Sequence, residues 1–230
     1  MDLSGKLVAI TGAFGALGAS VVQVAQAAGA RVAAIDMSDA ARAPALAGAE
    51  RIGGVDLSDP KAATDALERA AAALGGLDAL VNVAGGFRWE TLAAGNLDTW
   101  DLLYRMNLRT AAAACQAVLP HFARRGGGRI VNIGAAASAK AGAGMGAYAA
   151  SKAGVSRLTE ALAEELKDQN VAVNAVLPSI IDTARNREDM PKADYSRWVT
   201  PEALADVIVF LLSDKARAIT GALVPVTGRV

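Results

Sequence analysis

In the run Gly146-Ala147-Tyr148-Ala149-Ala150-Ser151-Lys152, a phenol and an amine stand four residues apart. On a helix that spacing puts both side chains on one face. An ammonium beside a phenol favours the phenolate and brings a group that ionises at about pH 10 when free closer to working pH. Such a pair can donate and accept a proton. Tyr-x-x-x-Lys also describes an ordinary exposed helix face, so its meaning depends on what the rest of the chain places beside it.

A second constellation lies near the start, in Thr11-Gly12-Ala13-Phe14-Gly15-Ala16-Leu17-Gly18, which follows an apolar run and opens an alanine-rich amphipathic stretch. Glycines there let the backbone turn tightly and approach a pyrophosphate, whose charge meets the free N–H groups and positive end of a helix. The glycine triplet gains weight from its setting of strand, glycines, helix and second strand. The second strand ends in Ile35-Asp36. A carboxylate at that point accepts hydrogen bonds from the adenosine ribose hydroxyls and repels a 2′-phosphate, so NAD(H) is expected over NADP(H). Met37 and Ser38 bring no cation, and Arg42, the nearest one downstream, lies too far along. Asp56 and Leu57 follow the third strand, Asp56 being placed to meet the adenine amino group, and Asn82-Val83-Ala84-Gly85-Gly86 follows the fourth. All these residues point to the carboxyl ends of the strands, where open α/β sheets bind ligands.

The elements that must hold these groups are legible as an alternation of short β-branched or apolar runs with longer amphipathic ones, the pattern of βαβ units. Seven strands are predicted: Leu7 to Ile10, Arg31 to Ile35, Arg51 to Val55, Ala79 to Asn82, Arg129 to Ile133, Val171 to Val176 and Leu223 to Val226. Helices are predicted over Ala16 to Ala28, Lys61 to Leu74, Leu97 to Arg124, Ala147 to Lys167 and Pro201 to Leu212. Right-handed crossovers place helices on both faces, giving an α/β, doubly wound, seven-stranded parallel sheet of Rossmann type. The polar stretch Ser179 to Val199 lacks apolar periodicity and reads as a substrate lid.

Bulk properties narrow the function. The 230 residues suit one dinucleotide-binding domain over 1–230. Lys plus Arg and Asp plus Glu both count 23, so nothing in the charge points to nucleic acid or to an anionic membrane. No apolar run approaches the ~20 residues of a membrane span, and the opening residues carry no signal-like apolar region, so a cytoplasmic protein acting on a small molecule is expected. The one cysteine, Cys115, cannot form an internal disulfide or a metal cluster and reads as a small packed residue; no metal is expected.

Taken in order, TGAFGALG, Asp36, Asp56-Leu57, NVAGG, Asn107 in YRMNLRT, YAASK, the LPSIIDT segment and the closing ITGALVPVTG resemble the short-chain dehydrogenases/reductases along essentially the whole chain. The resemblance implies that Tyr148 is the catalytic acid/base and that Lys152 binds the nicotinamide ribose and lowers the tyrosine's pKa. It implies that Asn107 anchors a water-linked proton relay. Pro178, Ile181 and Thr183 would then border the nicotinamide end of the cofactor. Hydride would pass between nicotinamide and substrate while Tyr148 moves the proton.

Three departures stand out. The family commonly has a serine thirteen residues before the tyrosine, where this chain has Ala135; Ser138 lies three residues later. Val83 stands where a second asparagine is frequent, and Ser179 where glycine is. Losing one oxyanion donor costs about 10² to 10³ in rate, so an ordinary ketone is less secure as substrate. VAGGF, GMGAYAASK and the long run LPSIIDTARNREDMPKADYSRWVTPEAL are similar to the dihydropteridine reductase branch. That branch reduces a quinonoid dihydropterin with NADH, and such a conjugated ring needs less oxyanion stabilisation. The alternatives are an NAD-dependent ketone or alcohol dehydrogenase using Asn107, Tyr148 and Lys152 without the serine, and a nucleotide-sensing protein that has lost the chemistry. Phe87, Trp89 and Trp198 are candidates to stack on a planar ring. Arg185 and Arg187 either clamp an acidic substrate or are solvated loop charges. His121 reads as a surface residue favoured by the helix C-terminus. The alanine-rich stretches Leu97 to Arg124 and Ala147 to Lys167, apolar on more than one face, predict a homodimer or homotetramer packed through helices.

Overall fold

The computed structural model describes residues 1–42 and 46–230 of the chain, the side chain of Arg42 lying outside the described set. Seven parallel strands, β1 (Leu7–Thr11), β2 (Arg31–Ile35), β3 (Glu50–Ile52), β4 (Ala79–Asn82), β5 (Gly128–Ile133), β6 (Val171–Pro178) and β7 (Leu223–Val226), lie in the order β3-β2-β1-β4-β5-β6-β7. The direction of winding reverses between β1 and β4, which opens a crevice at their carboxyl ends. The helices are α1 (Ala16–Ala27), α2 (Pro60–Leu74), α3 (Leu97–Leu103), α4 (Thr110–Arg125), α5 (Gly146–Leu166), α6 (Ala184–Asp189) and α7 (Pro201–Leu212).

Alternation along the strands explains why the sheet is covered twice. On β1, Val8 and Ile10 pack with Val21, Val22, Leu204 and Ile208 of α1 and α7, while Leu7 and Ala9 pack with Leu67, Val118, Phe122 and Leu166 of α2, α4 and α5. Successive side chains of a strand point to opposite faces. A strand apolar at every position therefore needs two helical layers, and a parallel sheet supplies them.

Three boundaries differ from the sequence expectation. The third strand stops at Ile52, three residues early. Gly53 and Gly54 end it: a Cβ on Gly53 would come within 2.3 Å of the Ala40 nitrogen, and Gly54 has φ +74°. The predicted single helix Leu97 to Arg124 is two α-helices joined by a π-helical turn over Tyr104–Arg109. The stretch predicted as a lid holds α6, a 3₁₀ turn at Tyr195–Arg197 and a parallel bridge between Ile181 and Val199. No described helix is long and apolar enough to cross a membrane.

His121 corrects the sequence reading. It is buried, and its Nδ1 accepts a hydrogen bond from Arg124 at 2.8 Å. Arg124 can only donate, so this nitrogen carries no proton. Burial, then the neighbouring guanidinium, depress the imidazole's pKa. The favourable helix-end charge assumed for a surface histidine is absent. Cys115 is the packed residue expected: it is buried, and desolvation pushes its thiol up to about 12.

Candidate active site

The glycine turn after β1 and the loop after β4 meet at the crevice. Gly12 has φ +62°, and a Cβ there would come within 2.6 Å of the Ala84 nitrogen. Only glycine allows both that conformation and that approach. The Ala84 N–H donates to Thr11 Oγ at 3.2 Å, fixing the two strand ends together. At Gly18 a Cβ would overlap the Gly12 carbonyl, which brings the first turn of α1 against the loop. No side chain caps α1, and its first turn carries no acid, whereas Asp59, Asn96, Thr183 and Thr200 cap α2, α3, α6 and α7. The Gly15 N–H donates to the Gly12 carbonyl at 3.3 Å, and the N–H groups of Ala16 and Leu17 are left for an anion.

Asp36 closes the other side of this turn. Its Oδ2 accepts from the Phe14 N–H at 3.0 Å and its Oδ1 from the Ser38 N–H at 2.8 Å. The carboxylate is thereby held against the glycine loop, where a ribose would lie. Asp56 is exposed, and its Oδ1 takes both the N–H and the hydroxyl of Ser58. These bonds hold its carboxyl below the usual range. Arg109 reaches the Ser58 carbonyl at 2.7 Å, tying the π turn to this corner. A clashing Cβ at Gly12 and Gly18, an uncapped helix end and a pinned acid make a cradle that fits a dinucleotide. Gly12, Phe14, Gly15, Ala16, Gly18, Asp36, Asp56, Ala84 and Gly85 border it.

Three other predicted cofactor residues contribute differently. Leu17 and Leu57 bury their side chains in the core, so only their backbones face the crevice side. Asn82 is also buried: its Nδ2 donates to Asn132 Oδ1 at 2.9 Å and to Cys115 Sγ at 3.3 Å. Asn132 Nδ2 in turn donates to Thr159 of α5 at 2.9 Å. The Asn82 side chain therefore fastens β4 to β5 and does not reach out to a ligand. Pro178 ends β6, Ile181 bridges to Val199, and Thr183 caps α6 by accepting from the Asn186 N–H at 3.2 Å.

At the catalytic end, Tyr148 lies in the first turn of α5 and Lys152 one turn on. Lys152 is 5% exposed and its Nζ donates to the Ile133 carbonyl at the end of β5, 2.7 Å away. Burial lowers its pKa from 10.5 to about 8. Burial also raises the Tyr148 phenol to about 12. This reverses the expectation that the ammonium holds the phenol down. Lys152 spends its bond on a backbone carbonyl, and desolvation, which disfavours the charged form of both groups, decides the shift. Asn107, in the π turn, is buried and pairs with Gly86 twice, Oδ1 accepting from its N–H at 2.8 Å and Nδ2 donating to its carbonyl at 3.1 Å. A Cβ on Gly85 would sit 2.6 Å from Asn107 Oδ1 and 3.4 Å from Lys152 Nζ. Asn107, Lys152 and the loop after β4 are thus in contact.

Ala135 is buried beside this site. Ser138 does not replace the missing serine: its hydroxyl lies 3.4 Å from Ser156 Oγ, eight residues beyond Tyr148 on α5, about 12 Å along the axis. Phe87 meets Tyr148 edge to face at 4.9 Å. Trp89 lies over Gly144 and donates to the Ala143 carbonyl at 2.9 Å; both rings remain more than half exposed. Trp198 is corrected from a stacking candidate to a packing residue: it is 7% exposed, against Tyr195 at 4.8 Å. The acid-clamp reading of the arginines is also withdrawn, because Arg187 pairs bidentately with Asp182 at 2.6 and 2.7 Å and Arg185 with Asp189 at 3.0 Å. Sequence reasoning missed the π turn, the Asn132–Thr159 link and the Arg109 tether. The uninterrupted apolar period of Leu97 to Arg124 gave no sign of the first.

A fold with its crevice at the switch point, a glycine cradle and a Tyr–Lys pair facing it defines a nucleotide-dependent oxidoreductase. The chain matches the short chain dehydrogenase family over residues 6–194 and belongs to that family. Its members use a nicotinamide cofactor. It is 34% identical over 242 residues to a D-threitol dehydrogenase of Mycolicibacterium smegmatis, covering 98% of this chain and 93% of the relative. It is 31% identical to a 3-oxoacyl-acyl-carrier-protein reductase FabG of Thermotoga maritima, covering 99% and 98%. A short chain dehydrogenase from Burkholderia cenocepacia J2315, solved in complex with NADP, superposes with a TM-score of 0.90 at 33% identity, covering 99% of this chain and 98% of that one.

The buried lysine makes stability depend on pH. Between about 8, the folded pKa, and the ordinary lysine value of 10.5, the unfolded chain binds the proton that the folded one has lost, so stability rises with pH. Tyr148 acts in the opposite sense above pH 10, where the folded state keeps its proton up to about 12. Urea denaturation of the wild type and Lys152→Met at pH 8 and pH 10 checks this. The wild type should gain stability relative to the variant across that interval.

Proposed function

We propose that the chain is an NAD(H)-preferring reductase of a planar, conjugated C=N-containing ring of the quinonoid dihydropteridine kind. The observation that carries this reading is the surroundings of Tyr148. Ala135 offers no hydroxyl and Ser138 faces Ser156, so a ketone's developing oxyanion would lack its second donor. A ring that accepts hydride at carbon and a proton at nitrogen needs only the one donor. Phe87 and Trp89 stand exposed at the same mouth and offer flat apolar surface to such a ring.

The bound nicotinamide would supply the hydride. Tyr148, a neutral phenol at working pH, gives its proton to the ring nitrogen. The phenolate that remains lies on the same helical face as the Lys152 ammonium, whose charge then favours it. Asn107 holds the loop of Gly85 and Gly86 against this pair and, as the family resemblance implies, anchors the path by which the phenol is reprotonated. Preference for NAD(H) rests on Asp36, whose negative charge sits where a 2′-phosphate would add two more. The stretch Ser179 to Val199 serves as the wall or lid over the substrate. The chain acts as a cytoplasmic homo-oligomer, dimer or tetramer; Leu97 and Tyr104, exposed by 70% and 51% on α3 and the π turn, give it apolar surface to cover.

A second reading, an NAD-dependent ketone or alcohol dehydrogenase, is favoured by the retained Asn107 and by the names of the relatives. The two separate in one assay of NADH oxidation with a quinonoid dihydropterin, a ketone panel and, in reverse, polyols. The dihydropterin should be turned over fastest; Tyr148→Phe should lower that rate by about 10² to 10⁴, and Ala135→Ser should change it little while helping ketones. A hundredfold gain on the dihydropterin from Ala135→Ser would defeat the proposal, as would fast turnover of ketones alone. Binding of NADH without turnover of any acceptor would favour a nucleotide sensor.

The cofactor choice is tested separately. The unmodified chain should use NADH in preference to NADPH at equal concentration, and Asp36→Ala combined with Met37→Arg should reverse the order. Faster turnover with NADPH in the wild type would overturn the assignment. Sedimentation at micromolar concentration should show a species heavier than one chain; a single-chain mass would remove the oligomer.

A further inference from the structure

Ser151 sits between the two members of the proton-transferring pair and is 4% exposed. Its hydroxyl donates to the Tyr148 carbonyl at 2.7 Å and accepts from Asn107 Nδ2 at 2.9 Å. The other bonds of that amide, Nδ2 to the Gly86 carbonyl at 3.1 Å and Oδ1 from the Gly86 N–H at 2.8 Å, run to the loop after β4. One hydroxyl thus closes a chain of bonds from the cofactor loop, through the π turn, to the first turn of α5.

We propose that Ser151 is a positioning residue, whose hydroxyl ties the Asn107 amide to the backbone of Tyr148 and so sets the placement of the Gly85-Gly86 loop against the phenol. The donor inventory fixes the direction of every bond. A carboxamide nitrogen has two hydrogens, here spent on Gly86 and Ser151; a serine has one, here spent on the Tyr148 carbonyl, so its oxygen must accept. At 4% exposure water does not replace the hydroxyl. Slack in Asn107 would pass directly to the loop, because the Gly85 backbone lies so close to Asn107 Oδ1 that a Cβ there would be 2.6 Å away. A bond from Ser151 to the carbonyl three residues back would by itself be only a local helix contact. The bond received from Asn107 joins it to a second element that already grips the loop. The inference rests on the family's hydride-transfer chemistry and on no particular substrate.

The test compares Ser151→Ala, Ser151→Thr, Asn107→Ala and the Ser151→Ala/Asn107→Ala double variant. Turnover is measured with NADH and the best acceptor of the wild type, and backbone hydrogen exchange on the protein without cofactor. Ser151→Ala should lower kcat about tenfold, the worth of one buried hydrogen bond, with KM for the acceptor nearly unchanged, and Ser151→Thr should recover most of the loss. The double variant should be no slower than Asn107→Ala. Amide exchange in the loop 83–87 should quicken in Ser151→Ala while β4 stays as protected as before. An unchanged kcat, losses that multiply in the double variant, or unaltered loop exchange would overturn the proposal. Should Ser151→Ala fail to fold, Ser151→Cys, which keeps the volume and a weaker bond, should show the same changes at smaller amplitude; wild-type rate and exchange in that variant would equally overturn it. The exchange arm needs no substrate, so failure of the dihydropteridine reading leaves it decisive.

Discussion

A lysine ammonium buried with, among the described residues, only a backbone carbonyl for a partner is the constraint around which the rest of this structure is arranged. Lys152 reaches Ile133, the last residue of β5, and that single bond requires α5 to lie across the carboxyl end of the sheet with one face turned inward. Thr159, two turns further along the same face, meets Asn132 of β5 and holds that rotation. Burying a charge is costly unless it is bonded, and the cost falls on both titrating groups. The amine loses affinity for its proton and the phenol keeps its own.

The cofactor half depends on a different economy, that of absent side chains. Gly12, Gly18 and Gly85 each stand where a Cβ would strike backbone or the Asn107 amide, so the loops after β1 and β4 approach one another and the first turn of α1 closes on them. The two halves are joined at Gly86. Its N–H and carbonyl are both held by Asn107, which belongs to the π turn that also reaches Ser58 beside Asp56. One irregular turn therefore touches the Asp56 corner and the loop beside Lys152 together. A π turn projects successive side chains differently from an α-helix, which lets Asn107 face the loop while Arg109 faces the opposite corner.

Much of this was legible in the sequence because it rests on local rules. Six of the seven strands match within two residues at each end, since runs such as Leu7 to Ile10 are bounded by glycine or acids that end them, and Asp36, Tyr148 and Lys152 follow from spacing on a strand end and a helix. What could not be read depends on contacts between distant segments. His121 is of a type often found at surfaces, and Trp198 carries a flat ring that suits a ligand as well as a packed wall; only the packing of α4 and of the segment after α6 buries them. Asn82 sits in a motif that suggests a ligand, yet its partner is an asparagine fifty residues later. The sign of the Tyr148 shift was misjudged for the same reason: spacing shows that Lys152 is near, but not that its ammonium is already engaged with Ile133.

The claim that burial, and not the Lys152 charge, governs the ionisation of Tyr148 in the cofactor-free protein is open to one direct measurement. Phenolate absorbance can be titrated in the cofactor-free protein and in Tyr148→Phe, the difference isolating this residue from Tyr104 and Tyr195. The account predicts that Tyr148 stays protonated beyond the ordinary phenol range and ionises at about 12. Ionisation at or below the free-phenol value of about 10 would contradict it, and would mean that the Lys152 charge outweighs burial before any cofactor is bound.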